Sequence, residues 1–160
     1  MPARKKPTAS QAPTSAPETH CERRVRSSIL SPEAKGRVLI VEDDVPLSAV
    51  VEDTLTYEGY AVVGTARSAE EAISMALDHG PDLVLMDVKL LDNSDGIAAA
   101  GEILERTGIR CLMATGQTDA RTKARAALVQ PLGWLPKPYG NEEMVQAVAD
   151  ALRCNRASCP

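Results

Sequence analysis

The chain has no phenylalanine, one tryptophan and three tyrosines among 160 residues. So few rings exclude an aromatic stacking platform for single-stranded nucleic acid. The four cysteines, Cys21, Cys111, Cys154 and Cys159, form no Cys-x-x-Cys pair. A disulfide framework is therefore not indicated, and the setting is read as reducing and cytoplasmic. Cys111 lies in an apolar run and is expected as a buried thiol. No apolar run approaches the roughly 18 residues that a membrane helix needs. What is present is ordinary for a globular chain: 44% apolar and 25% charged residues, which excludes a collagen-like or wholly disordered protein. The length suits one domain.

The formal charge of −4 hides an asymmetry. Residues 1–36 carry seven Lys/Arg against three Asp/Glu, whereas residues 37–160 carry eleven against nineteen. An acidic body repels nucleic acid and suits cations or basic partners. The first 36 residues hold Pro2, Pro7, Pro13, Pro17 and Pro32 among Ser, Thr and Ala. Their composition predicts a flexible basic arm rather than a packed segment, and they lack the apolar core of a secretory signal. Arg23, Arg24 and Arg26 beside Ile29 and Leu30 are compatible with a short amphipathic turn.

From Arg37 the pattern changes. Val38-Leu39-Ile40-Val41 reads as a strand buried on both faces. Pro46 opens a helix with Leu47, Val50, Val51, Thr54 and Leu55 on one side, stopped by Gly59. Tyr60–Val63 reads as a second strand. Ser68-Ala69-Glu70-Glu71 is a capping box for a helix with Ala69, Ala72, Ile73, Ala76 and Leu77 inward, stopped by Gly80-Pro81. Leu83–Met86 is a third strand ending at Asp87, and 88–95 a polar loop. A third helix starts near Gly96 with Ile97, Ala100, Ile103 and Leu104 inward. Ile109–Ala114 is a fourth strand ending at Thr115-Gly116, followed by an alanine-rich helix over about 118–130. Gly133–Pro136 is a fifth strand. Asn141 caps a last helix with Met144, Val145, Val148 and Leu152 inward. Five apolar strands alternating with five helices predict an α/β fold, a doubly wound parallel sheet covered on both faces. The expected division is an arm over 1–36, one domain over 37–153 and a tail over 154–160, with no output domain beyond the last helix.

Ligands of such sheets bind at the carboxyl ends of the strands. There the sequence puts Glu42 and Asp43 after strand one, Asp87 after strand three, Thr115 after strand four and Lys137 after strand five. Three crowded carboxylates repel one another unless a cation joins them. Mg²⁺ suits a few carboxylate oxygens together with water and phosphate. A carboxylate is also a nucleophile toward phosphorus, and Lys137 with the Thr115 hydroxyl would steady the transferred oxygens. Singly, each residue has a plainer reading: a cap, a turn, a solvated amine. Asp44 is expected as a helix cap, and Asp92 and Asp95 as turn and cap residues.

The motifs Val-Leu-Ile-Val-Glu-Asp-Asp (38–44), Leu-Val-Leu-Met-Asp-Val (83–88), Ala-Thr-Gly (114–116) and Trp-Leu-Pro-Lys-Pro-Tyr (134–139) closely resemble the receiver domain of two-component response regulators. The resemblance covers about 37–153 and implies a five-stranded parallel sheet of order 2-1-3-4-5, flanked by five helices. It implies that Asp87 accepts a phosphoryl group from a sensor histidine kinase. Asp43 would ligate Mg²⁺ directly, Glu42 through water, and the main-chain carbonyl of Lys89 would be a further ligand. Thr115 takes the place of the switch hydroxyl and Lys137 that of the phosphate-binding lysine, with a cis bond to Pro138. Trp134 stands where the family carries a switching ring, and its plainer reading is a half-buried packing residue. Lys89 and Gln117 match the positions that set phosphate lifetime. Leu90–Gly96 replaces the family's usual Met-Pro with a longer segment. Met113-Ala114-Thr115-Gly116 is similar to the motif of an alphaproteobacterial single-domain subgroup, although Met113 replaces its Phe and Gln117-Thr118 departs from it. That likeness implies a kinase of HWE type. The resemblance implies a phosphoacceptor rather than an enzyme with a separate substrate. Two alternatives stay open: a receiver that binds its partner without phosphorylation, and a haloacid-dehalogenase-like phosphohydrolase. The second expects an Asp two residues after the nucleophile, where Lys89 stands.

Overall fold

A computed structural model describes residues 34–90, 94–116 and 120–157. Residues 1–33 of the expected arm over 1–36, Asp92 and Gln117 lie outside the described residues. The strands are β1 (Arg37–Val41), β2 (Ala61–Ala66), β3 (Leu83–Asp87), β4 (Cys111–Thr115) and β5 (Gly133–Pro136). They form one parallel sheet in the order β2-β1-β3-β4-β5. Between and after them run α1 (Val45–Tyr57), α2 (Ala69–His79), α3 (Gly96–Thr107), α4 (Ala120–Ala126) and α5 (Asn141–Ala157). A single 3₁₀ turn, Ala127–Val129, extends α4.

The apolar runs become strands because both faces of each are covered. Leu39, Val41, Val84, Met86, Cys111 and Met113 point to one side and meet Ala72, Ala76, Ile97, Ala100 and Ile103 of α2 and α3. Val38, Ile40, Leu83, Leu85, Leu112 and Leu135 point to the other and meet Val51 and Leu55 of α1 and Met144 and Val148 of α5. Each large side chain so buried is worth about 1.5–3 kcal/mol. Polar side chains fix where the helices start. Asp44 caps α1 by accepting the Leu47 N–H at 3.0 Å, Ser68 caps α2 by accepting from Glu71 at 3.2 Å, and Asp95 caps α3 by accepting from Ile97 at 3.0 Å. The capping box of α2 is displaced by one residue on its return side. The Glu71 carboxylate takes the Arg67 N–H at 2.8 Å rather than that of Ser68. Gly80 and Gly108 close α2 and α3 in the left-handed conformation, φ 53° and 73°.

Several expectations need correction. The last helix does not end at 153 but runs to Ala157, so most of the expected tail is helical. Asn155 donates its side-chain amide to the Asp82 carbonyl, and Arg156 to that of Lys35, which holds the extra turn to the body. At the other end, Lys35 donates its N–H to Gly59 and Gly36 accepts from Ala61, so the body begins before 37. Val50 faces solvent, and Ser48 is buried in its stead. The Ser48 hydroxyl tolerates this by donating to the Val45 carbonyl at 3.0 Å. The loop after β3 is not wholly polar, since Val88 and Leu90 are buried. Asn141 is the first residue of α5 rather than its cap, and the Gly140 carbonyl receives the Met144 N–H.

Candidate functional site

The order β2-β1-β3-β4-β5 reverses direction between β1 and β3, and a crevice opens at their carboxyl ends. The residues just past those ends therefore share it. Glu42 follows β1, its N–H tied to the Ala66 carbonyl of β2 at 3.0 Å. Asp87 ends β3 opposite Ala114 of β4. Thr115 ends β4, and its carbonyl accepts the Lys137 N–H at 2.8 Å, which carries Lys137 to the same rim. The Lys137–Pro138 bond is cis, as expected.

Glu42, Asp87 and Thr115 are buried, while Asp43 and Lys137 are part-exposed. The Lys137 ammonium lies 2.5 Å from Glu42 Oε2 and 2.6 Å from Asp87 Oδ2. Asp87 Oδ1 accepts the backbone N–H of Lys89 at 3.1 Å. Glu42, Asp43 and Asp87 each offer an oxygen within 4.8 Å of the others. One ammonium thus bridges two of the three carboxylates. Burial raises the Glu42 carboxyl above its ordinary value, although Lys137 opposes the rise. Burial works to lower Lys137, but its hydrogen bonds to Asp87 and Glu42 prevail and its ammonium holds its proton above the ordinary 10.5. The residual negative charge and the oxygen-only donor set fit a hard divalent cation.

Two features of the site escaped sequence reasoning. Gly96, the first residue of α3, lies against the main chain of Asp87. A Cβ there would stand 1.9 Å from the Asp87 carbonyl oxygen and 3.1 Å from the Val88 Cα. Only glycine allows this approach, and the Gly96 N–H donates to Val88 at 3.2 Å. A glycine at the head of a helix, where it is a poor helix former, was the available signal. The second feature is Asp95, whose cap carboxylate also pairs with Arg125 of α4. Beside Lys137, a cleft of about 390 Å³ is lined by Leu47, Lys137, Pro138 and Tyr139, and burial raises the Tyr139 hydroxyl above its usual range.

The remaining expected residues are accounted for as follows. Lys89 is exposed at the rim, and its backbone N–H donates to Asp87 Oδ1. Trp134 stands opposite Met113 and packs half-buried against the α2–α3 side of the sheet. Cys111 is fully buried, which pushes its thiol up to about 12. No helix among the described residues is long and apolar enough to cross a membrane.

This fold, with acids, a hydroxyl and a lysine at the carboxyl ends of its strands, has counterparts among known proteins. The model of the response regulator receiver domain matches residues 38–149, and the chain belongs to that family. It is 39% identical over 114 residues to the transcriptional regulatory protein PdtaR of Mycobacterium tuberculosis, covering 70% of this chain and 54% of that protein. The chain spans about half the length of the curated relatives it matches. Among solved structures it is similar to the signal receiver domain of a modulated diguanylate cyclase from Desulfovibrio desulfuricans, with TM-score 0.70 and 30% identity over 76% of this chain and 97% of that one. It is also similar to the response regulator PhyR from Brucella abortus, with TM-score 0.66 and 27% identity over 84% of this chain and 55% of that one.

Proposed function

We propose that this receiver domain accepts a phosphoryl group on Asp87 from the phosphohistidine of a sensor histidine kinase, of HWE type, and signals through a surface whose conformation depends on that phosphate. The observation that carries the reading is the Lys137 ammonium held 2.6 Å from Asp87 Oδ2, with Glu42 and Asp43 in the same crevice. An Asp87 oxygen attacks phosphorus, the P–N bond to the kinase histidine breaks, and the imidazole nitrogen leaves with the electron pair. Lys137 turns from the free carboxylate to the phosphoryl oxygens and steadies their charge. The Thr115 hydroxyl, one residue past the neighbour of Asp87, donates to another phosphoryl oxygen. Glu42 and Asp43 would hold Mg²⁺, with Asp87 and the Lys89 carbonyl completing the set. When bound, the ion supplies positive charge against the incoming phosphoryl oxygens. In this reading Lys89 shields the acyl phosphate from water, and Gln117 orients the water that ends the signal.

The acceptor, metal and lysine positions are all occupied by competent residues, which favours phosphorylation over a phosphate-independent binding role. A haloacid-dehalogenase-type hydrolase expects an Asp two residues beyond the nucleophile as its acid and base, and Lys89 stands there instead. The test is incubation with a small phosphodonor and Mg²⁺, followed by mass-spectrometric mapping. One phosphate per chain on Asp87, absent from Asp87→Asn, is expected. Wild-type labelling of Asp87→Asn would overturn the assignment, and many turnovers per chain would favour the hydrolase.

A further inference from the structure

Helix α1 is apolar on two opposite sides. Ser48, Val51 and Leu55 face the sheet. Pro46, Val50, Asp53 and Tyr57, spaced four, three and four residues apart, form a second stripe on the far side. Val50 is 50% exposed and Tyr57 89% exposed. The same stretch has charge of one sign. Residues 38–66 contain Glu42, Asp43, Asp44, Glu52, Asp53 and Glu58 and no Lys, Arg or His. Asp44, Glu52 and Asp53 are exposed along α1. A surface that is both acidic and apolar matches a segment that is both basic and apolar.

The chain itself supplies one next to it. Lys35 donates its N–H to the Gly59 carbonyl at 2.9 Å, and its ammonium lies 3.7 Å from the Glu58 carboxylate. The preceding residues therefore emerge at the carboxyl end of α1, beside Tyr57. Thirty-three residues stand before Ala34, among them Arg23, Arg24, Val25, Arg26, Ile29 and Leu30. The reach is sufficient. From Glu58 back to Val50 is about 12 Å of helix at 1.5 Å per residue. Four residues of extended chain span about 13 Å, and eleven span about 36 Å. Ile29 and Leu30 thus reach Val50 and Tyr57, while the three arginines reach Asp53, Glu52 and Asp44.

We propose that residues 23–30 dock on the outer side of α1, with Val25, Ile29 and Leu30 covering Val50 and Tyr57 and the arginines facing the acidic residues beside them. This inference does not depend on phosphorylation.

The test uses the full-length chain carrying Cys154→Ser and Cys159→Ser, with a nitroxide on Cys21; Cys111 is buried and does not label. Paramagnetic broadening of backbone amides is then mapped. The discriminating comparison is between the start of α1 and the end of α5. The amides of Arg153–Arg156 lie near the anchor at Lys35, because Arg156 donates to the Lys35 carbonyl. A docked segment broadens Leu47–Val50 more than Arg153–Arg156, and the excess is lost in Arg23→Glu/Arg24→Glu/Arg26→Glu and in about 0.5 M NaCl, where charges are screened within a few ångströms. An undocked arm gives the reverse order, strongest near the anchor, and overturns the proposal. Survival of the pattern after charge reversal does the same. So does transfer of the broadening to isotope-labelled chains without nitroxide, which would make the occupant a second copy.

Discussion

Replacing Gly96 by alanine places a methyl group 1.9 Å from the carbonyl oxygen of Asp87. Carbon and oxygen do not stay closer than 3.0 Å, so the start of α3 and the Asp87 peptide must part by about an ångström. The obstacle is main chain, which cannot turn aside as a side chain does. The carboxylate of Asp87 moves with its backbone, away from the Lys137 ammonium now 2.6 Å distant. Overpacking of this kind costs about 1–3 kcal/mol, and replacing glycine in a helix returns up to about 1 kcal/mol. The net loss of stability is then at most about 3 kcal/mol, which leaves a domain stable by roughly 5–15 kcal/mol almost wholly folded. A misplacement of about 1 Å at reacting groups, in contrast, costs on the order of 10²-fold in rate. Gly101, in the same helix, is the control. A methyl there would meet only Val129 Cγ1, a side-chain atom, at 3.2 Å. The assay is the rate of acyl phosphate formation from a small phosphodonor with Mg²⁺, alongside thermal unfolding followed by circular dichroism. Gly96→Ala should lose rate far beyond its loss of stability, and Gly101→Ala should lose neither. A wild-type rate in Gly96→Ala, or an equal fall in Gly101→Ala, refutes the positioning argument.

Three further outcomes are expected. Mg²⁺ at a hundredfold excess over its Kd should stabilise the protein by about 2.7 kcal/mol, several degrees in Tm at roughly 2–4 °C per kcal/mol. Asp43→Ala should abolish that rise while melting higher than wild type without the ion, because one of three repelling carboxylates is gone; calorimetry with and without Mg²⁺ decides. The raised Lys137 ammonium gives a stabilisation fully present below 10.5 and lost as pH climbs through the higher folded value. In urea unfolding, the stability gap between wild type and Lys137→Gln should therefore hold steady at neutral pH and narrow above about pH 10.5; a gap unchanged to pH 12 would contradict the ion pairing. Cys111, with its thiol pushed up to about 12, should resist thiol reagents at pH 8 until the protein is unfolded, which a timed labelling experiment in denaturant reads directly.

The strands and the rim of the site were legible because each depends on short-range pattern. Four-residue apolar runs such as Leu83–Met86 identify central parallel strands, and the polar residues that follow them fall at one edge by topology alone. Glu42, Asp87 and Lys137 could be brought together on that argument, and the Lys137 ammonium meets both carboxylates within 2.6 Å. What was not legible depends on contacts distant in sequence or on an ambiguous period. In α1 apolar residues occupy both sides of the helix, so spacing alone assigned Val50 inward, and a serine that bonds its own backbone took the buried place. The close approach of Gly96 to Asp87 comes from how α3 sets off from the sheet, and the glycine at the head of that helix is its one local sign. The last turn of α5 has no apolar stripe, and Asn155 and Arg156 hold it through carbonyls of Asp82 and Lys35 far away in the chain.

The same acids that define the crevice also make it electrostatically unfavourable at rest. Lys137 bridges Glu42 and Asp87 at once, yet burial still holds the Glu42 carboxyl above its ordinary value. A phosphoryl group on Asp87 would compete for that single ammonium, and Glu42 would lose its countercharge unless a cation took its place. Metal and phosphate are thus expected to bind cooperatively, each relieving repulsion that the other creates. Motion of the Asp87 main chain has one immediate recipient, since Gly96 leaves no slack between it and α3. The neighbouring cap, Asp95, pairs with Arg125, so α4 is joined to the acceptor by contact at every step. Contact alone does not establish coupling. A double-mutant cycle between Gly96→Ala and Arg125→Ala, read as the affinity for Mg²⁺, measures it: additive effects mean that the two ends move independently, and a shortfall from additivity means that α4 senses the acceptor through this chain of contacts.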